Sequence, residues 1–221
     1  MTPNDVISRA ARILNDEERV RWKDAELLDY VGDGQRQIVH YKPESNSTDG
    51  LWQVVAGETR QVAPADSMRV LRVTRSLRGG QPLRAISITS RAVLDSMDRD
   101  WHSRQGDVVQ LWLYEPDVDK GVFFIYPAVP QGAALQVEYS RRPDDPASMS
   151  SNLEIGDQWL DALVDWVLYR AFSKDADYGG NAQRAAGYGQ AFAGRIGLKW
   201  QTDQMADPNM RRRGGETRGQ V

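Results

Sequence analysis

The chain has no cysteine among its 221 residues, only two histidines and only four phenylalanines. The first absence excludes disulfides and thiolate chemistry, and is compatible with a reducing compartment such as a cytoplasm. The scarcity of histidine removes most routes to a transition-metal site, since His40 and His102 fall in different elements and no thiolate can complete a zinc set. No apolar run approaches the length needed to span a bilayer, so no membrane contact is expected. Asp16, Glu17, Glu18 and Arg19 stand where a signal peptide would continue its uncharged stretch.

Motifs for nucleotide, acyl and calcium chemistry are missing as well. The stretch GDGQRQ at Gly32–Gln37 lies inside a helical pattern, without a preceding strand or a P-loop lysine, and there is no G-x-S-x-G elbow. Asp117, Asp119 and Gly121 imitate a calcium loop, but the glycine comes one place early and Ala128 occupies the position of the bidentate glutamate. A turn is the better reading there. No internal repeat of about 20–50 residues appears.

What is present suits a packed, water-exposed protein: 40% of the residues are hydrophobic, enough for a core at this length. The net charge of −3 is uneven, because Arg211, Arg212, Arg213 and Arg218 against Glu216 give the last eleven residues +3 and leave the rest at −6. An acidic body with a short basic tail is expected, and the tail from Pro208 has little to bury.

Helical periodicity marks both ends. Thr2 and Pro3 form an N-cap and N1 pair, and Val6, Ile7, Ala10, Ala11, Ile13 and Leu14 recur at three- and four-residue spacing. A second pattern runs after Trp22 through Leu27, Leu28, Val31, Gln35, Ile38 and Tyr41, and ends at Pro43. Gly32 and Gly34 weaken it by about 1 kcal/mol each, which is tolerable where a neighbouring helix approaches closely. Near the other end, Leu160, Leu163, Val164, Val167, Leu168, Ala171 and Phe172 make a wide apolar stripe flanked by Trp159, Trp166 and Tyr169. The last helical pattern carries a flank of alanine and glycine from Ala182 to Gly197, with Phe192, Ile196 and Trp200 as its large contacts.

Between these ends lie β-branched and aromatic runs at residues 51–55, 68–74, 83–89, 108–114, 122–126 and 135–139, with SNSTDG before them as a polar loop. QLWLY and VFFIY are apolar on both sides and should be central strands covered on both faces. Gly79 and Gly80 read as a hairpin turn, and residues 90–105 as a short helix with a structured loop. The expected fold class is α+β: a helical bundle built from the N- and C-terminal helices, with an inserted antiparallel β domain. The corresponding bounds are 1–43, 50–147 and 153–207, followed by a flexible basic tail at 208–221.

Three sets of residues invite a chemical reading. Asp95, Asp98, Asp100 and His102 are the one place for a carbohydrate hydrolase, because paired carboxylates can divide acid and base roles. The competing reading has Asp98 and Asp100 capping turns while Trp101 anchors the loop. The arginines between Arg60 and Arg104 suggest either nucleic-acid contact or pairing with carboxylates, and their spread among acids favours pairing. Exposed aromatics of the terminal helices are the third set, with simple core packing as their competing role.

Four stretches occur together in order: RWKDAELLDYVGDGQRQIVHYKP, VLDSMDRDWHS, VFFIYPAVP and ALVDWVLYRAFSKDADYGGNAQRAAGYGQAF. In this the chain resembles the head-to-tail adaptor (connector) proteins of short-tailed bacteriophages, of the tail tubular protein A kind. It departs from them at Lys23, where related proteins more often begin the helix with a hydroxyl residue or proline. The resemblance implies a non-enzymatic virion protein without cofactor or metal, made in the host cytoplasm and located at the head-tail junction. It implies a homo-oligomeric ring of about twelve copies between the portal protein and the tail tube or nozzle, with DNA passing through its lumen without sequence-specific binding. Under that reading Arg211, Arg212 and Arg213 are candidates for portal binding, and Trp166, Tyr169, Tyr188 and Trp200 for subunit interfaces. A tail-associated carbohydrate-binding or hydrolysing protein is the alternative, and a DNA-binding regulator a third class.

Overall fold

The computed structural model describes the backbone of residues 1–206 and the side chains of residues 1–197. The chain divides into a helical unit, Met1–Lys42 with the chain from Pro143 onward, and a β unit, Pro43–Arg142. The fold is α+β, with helices at both ends of the sequence flanking the β region.

In the helical unit, α1 (Pro3–Leu14) starts with a complete capping box: the Thr2 hydroxyl accepts from the Asp5 amide, and the Asp5 carboxylate accepts from the Thr2 amide. It ends at Asn15, whose left-handed φ of 54° turns the chain out of the helix. Asp16 then organises the following loop, its carboxylate accepting from the amides of Val20, Arg21 and Trp22. Helix α2 (Asp24–Tyr41) has Lys23 at its N-cap with no side-chain cap bond. Asp24 and Glu26 in its first turn offset part of that loss by facing the positive end of the helix dipole.

Helix α4 (Leu160–Lys174) is the centre of this unit, packed against α1, α2 and α5 (Asn181–Ala206). Val6, Ile7, Leu27, Val31, Ile38, Leu163, Val167 and Leu168 are all fully buried in the unit. The close approach expected at the two α2 glycines is present. A Cβ on Gly34 would lie 2.8 Å from both Leu163 Cδ2 and Trp166 Cδ1, and one on Gly32 would lie 2.9 Å from an Asp145 carboxylate oxygen. Only a glycine lets α2 seat this low on α4.

The β unit holds two four-stranded sheets. One has the order β1-β8-β3-β4, from β1 (Ser47–Gln53), β3 (Ser67–Arg78), β4 (Gln81–Ala85) and β8 (Ala133–Arg141). The other has the order β2-β7-β6-β5, from β2 (Arg60–Val62), β5 (Ser87–Ile88), β6 (Leu111–Tyr114) and β7 (Val122–Tyr126). Val70, Val73, Leu135 and Val137 of the first sheet share one core with Trp112, Phe123 and Ile125 of the second. On its other side the second sheet carries Leu111, Leu113, Phe124 and Tyr126 against Leu94 and Trp101 of the 90–105 segment. The two apolar strands are thus covered on both faces, once by a sheet and once by helix α3 (Arg91–Met97) and the 3-10 turn Trp101–Ser103.

Four details differ from the sequence reading. SNSTDG, expected as a loop, supplies a 3-10 turn and the first half of β1, because pairing with β8 outweighs the low β-propensity of serine, aspartate and glycine. Strand β2 went unseen since three residues leave no period to read. The run 83–89 is two strands that break at buried Ile86, where the chain passes from one sheet to the other, and β5 then pairs with β6 in parallel. Finally, β3 bulges three times against β8, so its arginines at every third residue, Arg69, Arg72 and Arg75, fall opposite Ser140, Glu138 and Gln136 on one face.

Candidate functional site

The acidic loop is a closed structural network. Asp95 accepts from the Trp101 indole N–H at 2.8 Å, and Trp101 is 1% exposed, so the carboxylate serves the core of the loop. Asp98 accepts from Arg104 Nε at 2.7 Å, from Arg104 Nη2 at 3.1 Å, from the Asp100 amide and from the Tyr126 hydroxyl. The Arg104 guanidinium holds the Asp98 carboxyl below the usual carboxylate range. A glycosidase acid needs the opposite shift, so Asp98 is a poor proton donor. His102 stacks on Trp101 at 3.6 Å and meets the Thr59 hydroxyl at 3.3 Å through Nδ1. Anchoring and turn capping account for Asp95 and Asp98, whereas Asp100, expected to cap a turn, makes no side-chain cap bond to the 3-10 turn it precedes. Among the described residues no group of three or more histidines and carboxylates could hold a metal ion, and no helix is long and apolar enough to cross a membrane.

Several arginines of the β unit are engaged with acids and carbonyls. Arg91 pairs with Glu115 at 2.7 Å and lies over the rings of Trp101 and Phe124. Arg72 faces Glu138 at 3.8 Å, Arg75 donates to the Gln136 side chain, and Arg78 donates to the Asp107 carbonyl at 2.6 Å.

The aromatic candidates fall in different places. Trp166 and Tyr169 lie one helical turn apart on α4, their ring centroids 5.4 Å from each other, and Trp166 lies 4.9 Å from Phe192 of α5. Tyr169 packs against Gly189, where an added Cβ would stand 3.3 Å from its ring. Both rings are half-buried and line an apolar groove of about 750 Å³, together with Gln37 and Tyr41 of α2 and Phe192 and Ile196 of α5. Trp166 Nε1 is buried with no hydrogen-bond partner among the described residues. Tyr188 lies elsewhere, stacked on Phe172 with 5.8 Å between centroids and 5° between planes. The side chain of Trp200 and all of Arg211, Arg212 and Arg213 fall outside the described residues.

Ion pairs tie together the helices that carry this groove. Arg195 of α5 donates to Asp165 of α4 at 2.5 Å, with Asp165 only 7% exposed, and lies 3.6 Å from Asp161. Arg170 bridges α4 to α2 by pairing with Asp33 at 2.7 Å, while its guanidinium covers the rings of Tyr30 and Trp166. At the far end of α4, Lys174 and the Tyr30 hydroxyl both donate to Glu26, at 2.6 and 2.7 Å. The Lys174 contact lowers the Glu26 pKa, while burial first and Glu26 second push the Tyr30 hydroxyl up.

Sequence reasoning named Trp166 and Tyr169 but missed Tyr41 as part of the same surface. Tyr41 is 59% exposed at the end of its helix, and only the fold brings it beside residues more than a hundred positions away. The small residues of α5 also behave unequally. Gly189 is closely approached, whereas a Cβ on Gly187, Gly194 or Gly197 would meet nothing within 4 Å. This apolar groove, lined by half-buried aromatics, suits packing against another polypeptide.

The family model described as SU10 adaptor protein matches residues 1–214. No curated protein matches the chain.

Proposed function

The chain belongs to the SU10 adaptor protein family, a family of phage structural adaptors, and from this premise we propose that it is a head-to-tail adaptor of the virion. In this reading copies assemble as a closed ring of about twelve between portal and tail, and DNA crosses the lumen without sequence-specific contact. A ring needs two different contact faces on every subunit, one receiving what the other presents. The apolar groove over Trp166 and Tyr169 is the receiving face, and Tyr41, Phe192 and Ile196 complete its contact. That groove is the observation that carries the reading, because large half-exposed aromatics on an apolar surface are the composition of an interface core.

The three arginines at 211–213 contribute as portal anchors, where guanidinium groups make bidentate bonds to carboxylates of the partner. An acidic body favours DNA sliding past over DNA adhering. The carbohydrate-hydrolase alternative finds no support in the geometry of the acidic loop, where Asp98 is tied to Arg104. Size-exclusion chromatography with light scattering tests the ring contact: Trp166→Ala and Tyr169→Ala lower the oligomer formed with the portal while circular dichroism stays unchanged. Undiminished oligomers in both variants would contradict the assignment of the groove.

A further inference from the structure

The two sheets of the β unit have four edges, and three are blunted. Strand β2 has three residues, β5 has two, and β4 carries Pro82 and a register irregularity against β3. Short strands, proline and bulges are the devices by which proteins stop a sheet edge from recruiting another chain. The fourth edge, β1, has none of them. It runs seven residues, Ser47–Gln53, in unbroken register with β8, and contains no proline, lysine or bulge. In an antiparallel pair half of its backbone groups point away from β8. Among the described residues, none of its amides or carbonyls makes a backbone hydrogen bond outside that ladder. The open edge is about 24 Å long at 3.4 Å per residue.

One side-chain observation points the same way: Leu51, near the middle of the strand, is 64% exposed. The residues themselves are turn formers, Ser47, Thr48, Asp49 and Gly50, held extended by β8 alone.

We infer that β1 is a strand-addition site, which takes up an extended segment of a different polypeptide as a fifth strand of the β1-β8-β3-β4 sheet. The incoming backbone supplies the hydrogen bonds, and the side chains of β1 set the register. The segment places an apolar residue beside Leu51, a basic or amide residue beside Asp49, and a small residue next to Gly50. A second copy of this chain fits poorly. Among the described residues its only unblunted edge is also β1, and pairing β1 with β1 is isologous and closes at a dimer, which cannot build a ring; this exclusion rests on the ring reading above. The chain's own C-terminal residues fit poorly too, since Asp207-Pro208 and Gly214-Gly215 are residues depleted in strands and leave only a short run between them.

The experiment compares amide hydrogen exchange of the full chain free in solution and in intact virions. Every second amide between Ser47 and Gln53 is expected to slow by about 100-fold or more in virions. Because the chain has no cysteine, Leu51→Cys introduces a unique thiol, and a short thiol-to-amine crosslinker is expected to join it to a different virion protein. Unchanged exchange across β1 in virions that contain the chain overturns the inference and leaves the ring reading standing. A crosslink to another copy of this chain overturns the choice of occupant. If the chain is absent from virions, the adaptor reading fails and the strand-addition site falls with it.

Discussion

Replacing Gly34 by alanine tests how α2 is seated on α4. The added methyl would lie 2.8 Å from both Leu163 Cδ2 and Trp166 Cδ1, closer than carbon atoms approach without displacement. Trp166 cannot easily retreat, because it is held between Tyr169, Phe192 and the Arg170 guanidinium. Overpacking of this kind costs about 1–3 kcal/mol, against a gain of about 1 kcal/mol from replacing a mid-helix glycine. The net expectation is a loss of about 1 kcal/mol. Gly194→Ala in α5 is the internal control: the same substitution in the same kind of element, with nothing within 4 Å of the new methyl. It is expected to gain about 1 kcal/mol, since effects on the unfolded chain are alike in the two variants. In thermal denaturation the two variants separate by about 4–8 °C for a chain of this size. Equal upward shifts in both would refute the close packing of α2 on α4 through Gly34.

Other outcomes follow from the same contacts. Arg195→Met leaves Asp165 buried without its partner and costs about 1–3 kcal/mol in urea unfolding; the double variant with Asp165→Leu recovers most of that loss. Trp101→Ala empties the side of the second sheet that it covers and costs about 3–5 kcal/mol, measured by unfolding of the β unit. Glu26 and Asp16 both have folded pKa values below their unfolded ones, Glu26 mainly through Lys174 and Asp16 mainly through the Trp22 amide. Their contribution is therefore complete above about pH 5 and lost as pH falls through the depressed folded values. Melting temperature followed from pH 6 to pH 2 is expected to fall, and Asp16→Asn to flatten that acid limb. Removing residues 208–221 is expected to weaken portal docking in a pull-down while leaving the melting temperature of the rest unchanged.

Long, strongly periodic elements are legible in the sequence. The Thr2 and Pro3 start of α1, the stripe of α4 and the two doubly apolar strands each carry their signal within a few consecutive residues. The glycines of α2 were legible as a close approach, though not the identity of Leu163 and Trp166 as what approaches. The first half of strand β1 was hidden because Ser47, Thr48, Asp49 and Gly50 form turns by propensity and become a strand only through β8, some ninety residues later. The bulges of β3 were hidden for a related reason. Arginine at every third residue contradicts a period of two, and only extra residues at Met68, Leu71 and Thr74 bring the three side chains to one face. The groove was half legible: Trp166 and Tyr169 share a helix, but Tyr41 and Phe192 reach them from elements that no local pattern connects. Tyr188, grouped with them by residue type, stacks instead on Phe172.

Negative-stain electron microscopy of the purified chain mixed with its portal protein tests the adaptor reading most directly. The account predicts closed rings of this chain seated on the portal, lost when Trp166 and Tyr169 are both replaced by alanine. Portal particles left bare beside folded, monomeric chain would contradict it.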